Sequence, residues 1–160
     1  MKFSLNQQDI QKSLNYCQGV VEKRSTLPIL SNVLLNVENS TLRITATDLD
    51  LIFINEIKNV EIIEEGKTTT SSSIIYDIVR KFSPGKKINF SKISDSKLNL
   101  ESEKSTFNLN CISPSEFPLT EETFNENEFL ISSKKLLKLL NKCKFSISND
   151  ETRHYLNGIF

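Results

Sequence analysis

The chain has 160 residues, 38% of them hydrophobic and 25% charged, and its 20 basic and 20 acidic side chains cancel to a net charge of zero. That composition suits one globular domain with little left over, and it excludes disordered and low-complexity classes. No apolar run approaches the ~18 residues of a membrane helix. The opening Met1-Lys2-Phe3-Ser4-Leu5-Asn6 turns polar too early for a signal peptide, so a cytoplasmic location is expected.

Phe3-Ser4-Leu5 alternates as a short strand. From Asn6 the spacing becomes helical, with Ile10, Leu14 and Cys17 on one face, Asn6 as cap and Gly19 as terminator. Strands are predicted over 29–37, 42–46, 51–57, 67–71, 88–90, 97–100 and 106–111, with turn signals at Asn39-Ser40 and Ser83-Pro84-Gly85. One helix interrupts them, capped by Ser72 or Ser73, with Ile74, Ile75, Ile78, Val79 and Phe82 as its apolar face. The polar, acidic stretch 114–127 reads as a linker.

Phe129-Leu130-Ile131 is predicted as a short strand that starts a second unit, and Tyr155 to Phe160 as the start of a further strand. Ser132 or Ser133 then caps a helix with Leu136, Leu140 and Cys143 on one face. Adding 126 carries Phe3 onto Phe129, Ile10 onto Leu136, Leu14 onto Leu140, Asn15 onto Asn141 and Cys17 onto Cys143. An Arg with a Leu three positions later follows each helix, as Arg24 and Leu27, then Arg153 and Leu156. Any two strand–helix units share apolar spacing, but the repeated Asn and Cys favour an internal repeat. The expected domains are therefore 1–127, an α+β domain of two helices and about eight short strands, and 128–160, the start of a second. About 32 residues cannot close a core, so the sequence is expected to be an N-terminal fragment.

Four scattered glycines cannot build a phosphate-binding loop, and three distant cysteines without Cys-x-x-Cys spacing do not suggest zinc. Asp48 and Asp50, at i and i+2, read as a strand-end turn before they read as a metal site. His154, the only histidine, lacks a supporting acid or nucleophile, and no catalytic residue is assigned. The charge is uneven: residues 1–128 carry 14 basic against 18 acidic side chains, residues 129–160 carry 6 against 2. Lys134, Lys138 and Lys142 form a helical stripe, with Lys12, Arg80 and Lys81 on the other two helices. Such a stripe is either a solvated face or a surface that follows phosphates without reading bases. Lys23-Arg24 and Arg153-His154-Tyr155 would add donors and an aromatic platform.

Met1-Lys2-Phe3, Arg24-Ser25-Thr26-Leu27-Pro28-Ile29-Leu30-Ser31-Asn32, Thr45-Ala46-Thr47-Asp48-Leu49-Asp50 and Ser115-Glu116-Phe117-Pro118 resemble the first domain of the bacterial sliding clamp family, the β subunit of DNA polymerase III. Arg153-His154-Tyr155-Leu156-Asn157-Gly158-Ile159 resembles a stretch of that family's second domain. The resemblance implies a clamp domain with two helices on one face of a curved antiparallel sheet, repeated along a chain of roughly 380 residues in units of 126. It implies two subunits closed head-to-tail around duplex DNA, a sequence-independent tether for the polymerase III catalytic subunit, the clamp loader and other polymerases, with no chemistry, cofactor, metal or membrane of its own.

By position the resemblance assigns DNA contacts to Arg24, Lys12, Arg80, Lys138, His154 and Tyr155. His154 departs from the family's usual Tyr, and Ser73 and Ile74 replace basic residues of some relatives. Arg153 and Leu156 match one edge of a client-peptide groove, while Ile78, Lys104, Phe107 and Leu109 match a subunit interface. Two other readings compete: a stand-alone α+β interaction module, in which Leu156, Ile159 and Phe160 would be buried against the first domain, and a small hydrolase using His154 or the Asp48/Asp50 pair.

Overall fold

The computed structural model describes residues 1–22, 26–118, 129–148, 150 and 152–159. The chain divides into two compact units, Met1–Thr120 and Glu121–Phe160.

The first unit repeats one pattern. Strand β1 (Lys2–Asn6) and helix α1 (Gln7–Cys17) lead into β2 (Asn32–Glu38), β3 (Thr41–Thr47) and β4 (Ile52–Lys58). After a short strand β5 (Glu61–Glu64), β6 (Gly66–Ser71) and helix α2 (Ser72–Val79) lead into β7 (Lys87–Ser94), β8 (Lys97–Ser102) and β9 (Ser105–Asn110). The first strand of each half is exchanged. β1 joins the sheet β5-β1-β7-β8-β9, and β6 joins the sheet β4-β3-β2-β6. All pairs are antiparallel. The α+β domain is as expected, but its strands form two sheets instead of one. The seam between them is made by side chains: Thr69 Oγ1 donates to the Ile112 carbonyl at 2.8 Å, and Thr70 Oγ1 to that of Asn110 at 3.1 Å.

One core joins both sheets and both helices. Ile10, Leu14 and Cys17 of α1 are fully buried, as their spacing requires. They share the core with Val33, Leu35 and Val37 of β2, Leu42 and Ile44 of β3, and Ile75 and Val79 of α2. Phe3 and Phe90 face each other across β1 and β7 with rings stacked at 4.7 Å. Burial pushes the Cys17 thiol up to about 12, so it stays protonated and inert. Asn39 and Ser40 both take positive φ, the twist a two-residue hairpin between β2 and β3 needs.

Several local expectations give way to nonlocal partners. Asn6 occupies the cap position without capping; the first helical amide, Gln7 N–H, instead donates to the Lys86 carbonyl at 2.9 Å. Residues Pro28–Ser31 form a 3-10 turn because Pro28 fixes its φ, so β2 begins only at Asn32. Ser71, not Ser72 or Ser73, precedes α2, and Ile74 points outward at its exposed side. Strand β5 was not predicted.

In the second unit, helix α3 (Ser133–Cys143) forms as expected, and Ser132 Oγ accepts from Lys135 N–H at 3.4 Å. Phe129-Leu130-Ile131 forms no strand, and His154–Leu156 is a 3-10 turn instead of the start of one. A strand needs a ladder partner, and the described residues of this unit supply none.

Candidate nucleic-acid interface

Helices α1 and α2 lie side by side and antiparallel, fastened at three levels. At one end Gln7 Nε2 donates to the Val79 carbonyl at 2.9 Å. Near the other, Gln18 Nε2 donates to the Ser72 carbonyl at 3.0 Å and to Ser72 Oγ at 2.8 Å. Between them Tyr76 OH donates to Asn15 Oδ1 at 2.9 Å. These polar residues, to which the sequence reading gave no role on the helix pair, are its clasp. Their signal was present as Gln7, Gln11, Asn15 and Gln18, spaced three and four apart on one flank.

With one flank clasped and Ile10, Leu14 and Cys17 in the core, the outward ridge of α1 is Gln8, Lys12 and Tyr16, all exposed. The outward ridge of α2 is Ser73, Asp77 and Arg80. The pair thus presents Lys12, Arg80 and the adjoining Lys81 to solvent, with Asp9 and Asp77 as the opposing charges. Arg80 is partly occupied. Its guanidinium lies 3.1 Å from Asp77 and 5.8 Å from the centre of the Tyr76 ring. Such a surface attracts phosphate weakly. Arg24 lies outside the described residues.

Helix α3, taken by itself, is strongly cationic. Lys134, Lys135, Lys138 and Lys142 are exposed, and the helix contains no acidic residue. Its Leu136 and Leu140 are also exposed. Tyr155 and Leu156 are exposed in the turn that follows, and Arg153 pairs with Asp150 at 3.4 Å. Nothing is described of the His154 side chain, and Phe160 lies outside the described residues.

Three of the four positions expected at a subunit interface lie on or beside β9. Lys104 is in the turn before it, Phe107 is 39% exposed on it, and Leu109 is buried. The Phe107 ring meets Phe82 edge-on at 5.8 Å, just beyond α2, the helix that carries half-buried Ile78. β9 is an outer strand of the five-stranded sheet and is exposed along most of its length. β4 is its counterpart in the four-stranded sheet, with Ile52 and Ile54 exposed. Its role as an outer strand escaped sequence reading, because alternation marks a strand without saying which strand is last.

Among the described residues no three His, Cys, Asp or Glu side chains gather as a metal site. Asp48 is engaged by backbone: its Oδ1 accepts from the amides of Asp50 at 3.1 Å and Leu51 at 2.7 Å. That is the strand-end turn. No described helix is long and apolar enough to cross a membrane.

Residues 1–121 match the family described as DNA polymerase III beta subunit, N-terminal domain. The chain is 35% identical to the beta sliding clamp of Caulobacter vibrioides over all of its length, and 31% identical to that of Escherichia coli over 99% of it. It spans 43% of each of those relatives. Among solved structures it is similar to the sliding clamp of Bartonella birtlesii bound to griselimycin, with a TM-score of 0.95 and 38% identity. It is likewise similar to the polymerase III beta subunit of Pseudomonas aeruginosa, with a TM-score of 0.92 and 32% identity. Each comparison covers 99% of this chain and less than half of the other.

Proposed function

The chain belongs to the DNA polymerase III beta subunit family, and from that footing we infer that it is the leading part of a cytoplasmic sliding clamp, a ring that encircles duplex DNA and tethers a replicative polymerase. Residues 1–127 are the first clamp domain and residues 128–160 open the second. Two full-length subunits close head-to-tail, and their partners are the polymerase III catalytic subunit, the clamp loader and other polymerases. The ring has no catalytic role.

The observation that carries this reading is the likeness to solved clamps in fold and sequence together, over 99% of the chain. The geometry suits it. A tether that slides needs phosphate contacts that are numerous, weak and indifferent to sequence. Lys12, Arg80 and Lys138 lie on helices or at a helix end, Arg24 follows α1 in the sequence, and His154 and Tyr155 are in the 3-10 turn after α3. Arg80 shared with Asp77 is a contact that exchanges readily between phosphates. The outer strands β4 and β9 suit sheets continued from one domain to the next, with Ile78, Lys104, Phe107 and Leu109 at the subunit joint. Arg153 and Leu156 form one edge of a groove for client peptides.

Salt titration of DNA binding by the full-length gene product tests the helix-pair contacts. Lys12→Ala should shallow the slope of log K against log salt by about 0.9, equally on unrelated sequences. Asp77→Asn should tighten binding by about threefold, by releasing Arg80. An unchanged slope, or a loss confined to one sequence, would remove α1 and α2 from the DNA-facing surface.

A further inference from the structure

The first unit has a second, smaller apolar cluster, made by Ile29, Leu30, Leu34 and Phe117 with Ile112 against it. A cavity of about 420 Å³ opens over this cluster. Ile29 and Leu30 are its buried floor, and Leu27 and Leu49, about half exposed, are its lips. Glu116 is the one charged residue among those described as lining it.

Leu49 is the anomaly. It sits at φ +84°, a conformation that disfavours every side chain with a Cβ, and its apolar side chain stays 55% exposed. The loop is built to keep it there. Leu49 N–H donates to Thr47 Oγ1 at 3.0 Å, and Asp48 Oδ1 takes the amides of Asp50 and Leu51. Strain that gains no burial is the kind retained at binding sites. Asp48 and exposed Asp50 flank this leucine, and Glu116 lines the cavity.

We propose that this cavity is a peptide-docking site, which takes a short extended segment of a partner protein carrying one or two large apolar side chains beside Lys or Arg. The size lies within the usual range for ligand sites, about 300–1,000 Å³, and admits one or two such side chains. The carboxylates of Asp50 and Glu116 select the basic neighbours. Leu27 also holds, after α1, the place that Leu156 holds after α3 in the internal repeat. That parallel rests on the sliding-clamp reading; the cavity, the strained leucine and the charge do not.

The test is an NMR titration of the ¹⁵N-labelled 160-residue chain with the acetylated, amidated pentapeptide Lys-Leu-Phe-Lys-Gly. Saturable shifts are expected at Leu27, Leu30, Leu49 and Glu116. The peptide Glu-Leu-Phe-Glu-Gly should bind about tenfold more weakly at low salt, and the gap should narrow as salt rises. Leu49→Asn should weaken binding by about tenfold. Because Asn accepts left-handed backbone, that variant should unfold no earlier than the parent, which separates lost docking from lost folding. Absence of saturable shifts at these residues, equal affinity for the two peptides, or an unaffected Leu49→Asn variant would overturn the proposal. Neither DNA nor a ring enters the measurement, so its failure leaves the sliding-clamp reading untouched.

Discussion

Gly66 shows how one residue can hold two elements together. Its φ of +148° is a glycine conformation, and a Cβ added there would come within 3.1 Å of the Met1 Cβ. Met1 cannot yield, because its side chain is buried, its ammonium bonds Glu64 at 2.7 Å and its carbonyl accepts from Lys92 N–H at 2.9 Å. The ammonium holds the Glu64 carboxyl below its ordinary value, so this contact is fully present above that value and is lost as acid protonates the carboxylate. Gly66→Ala should cost about 1–3 kcal/mol, from the backbone conformation and the contact together. Urea denaturation would measure it. A cost below about 0.5 kcal/mol, the range of ordinary surface changes, would mean that Met1 is not locked. Sequence alone marked Gly66 only as a glycine outside any phosphate-loop pattern, since the close approach comes from a residue 65 positions away.

At the scale of elements, what was legible followed short-range periodicity. Ile10, Leu14 and Cys17 announced α1 and its buried face, and Leu136 and Leu140 announced α3. What was not legible depended on distant partners. Glu61-Ile62-Ile63-Glu64 is too short and too charged to declare a strand, and it becomes β5 only by pairing with β1. The exchange of β1 and β6 between sheets leaves no local trace at all. Of the candidate site, the cations Lys12 and Arg80 were legible as helical positions, whereas the ion pair to Asp77 and the clasp between helices were not. The clasp predicts unequal costs along one helix. Gln18→Ala removes two bonds to fully buried Ser72 and should destabilise the chain by about 1–2 kcal/mol. Lys12→Ala, on the exposed ridge of the same helix, should stay within about 0.5 kcal/mol. Equal costs in thermal or urea unfolding would show that the antiparallel pairing contributes nothing.

At the scale of the whole molecule, the chain carries the start of a repeat, two outer strands and the mark of a family. A relative in which 161 aligned residues make 43% of the chain has roughly 370 residues, close to three units of 126. The first unit is a completed core, while the second unit's helix leaves Leu136 and Leu140 exposed. β9 with Phe107 and β4 with Ile52 and Ile54 are outer strands with exposed apolar side chains, the kind of edge that pairs with another strand. In the proposed ring such domains would leave no outer strand free. The most direct measurement is the native mass of the full-length gene product by light scattering after gel filtration. The account predicts roughly 80 kDa, two chains of three units each. A mass of roughly 40 kDa that persists at high protein concentration would be a single open chain. Such a chain cannot encircle DNA, and that result would contradict the ring.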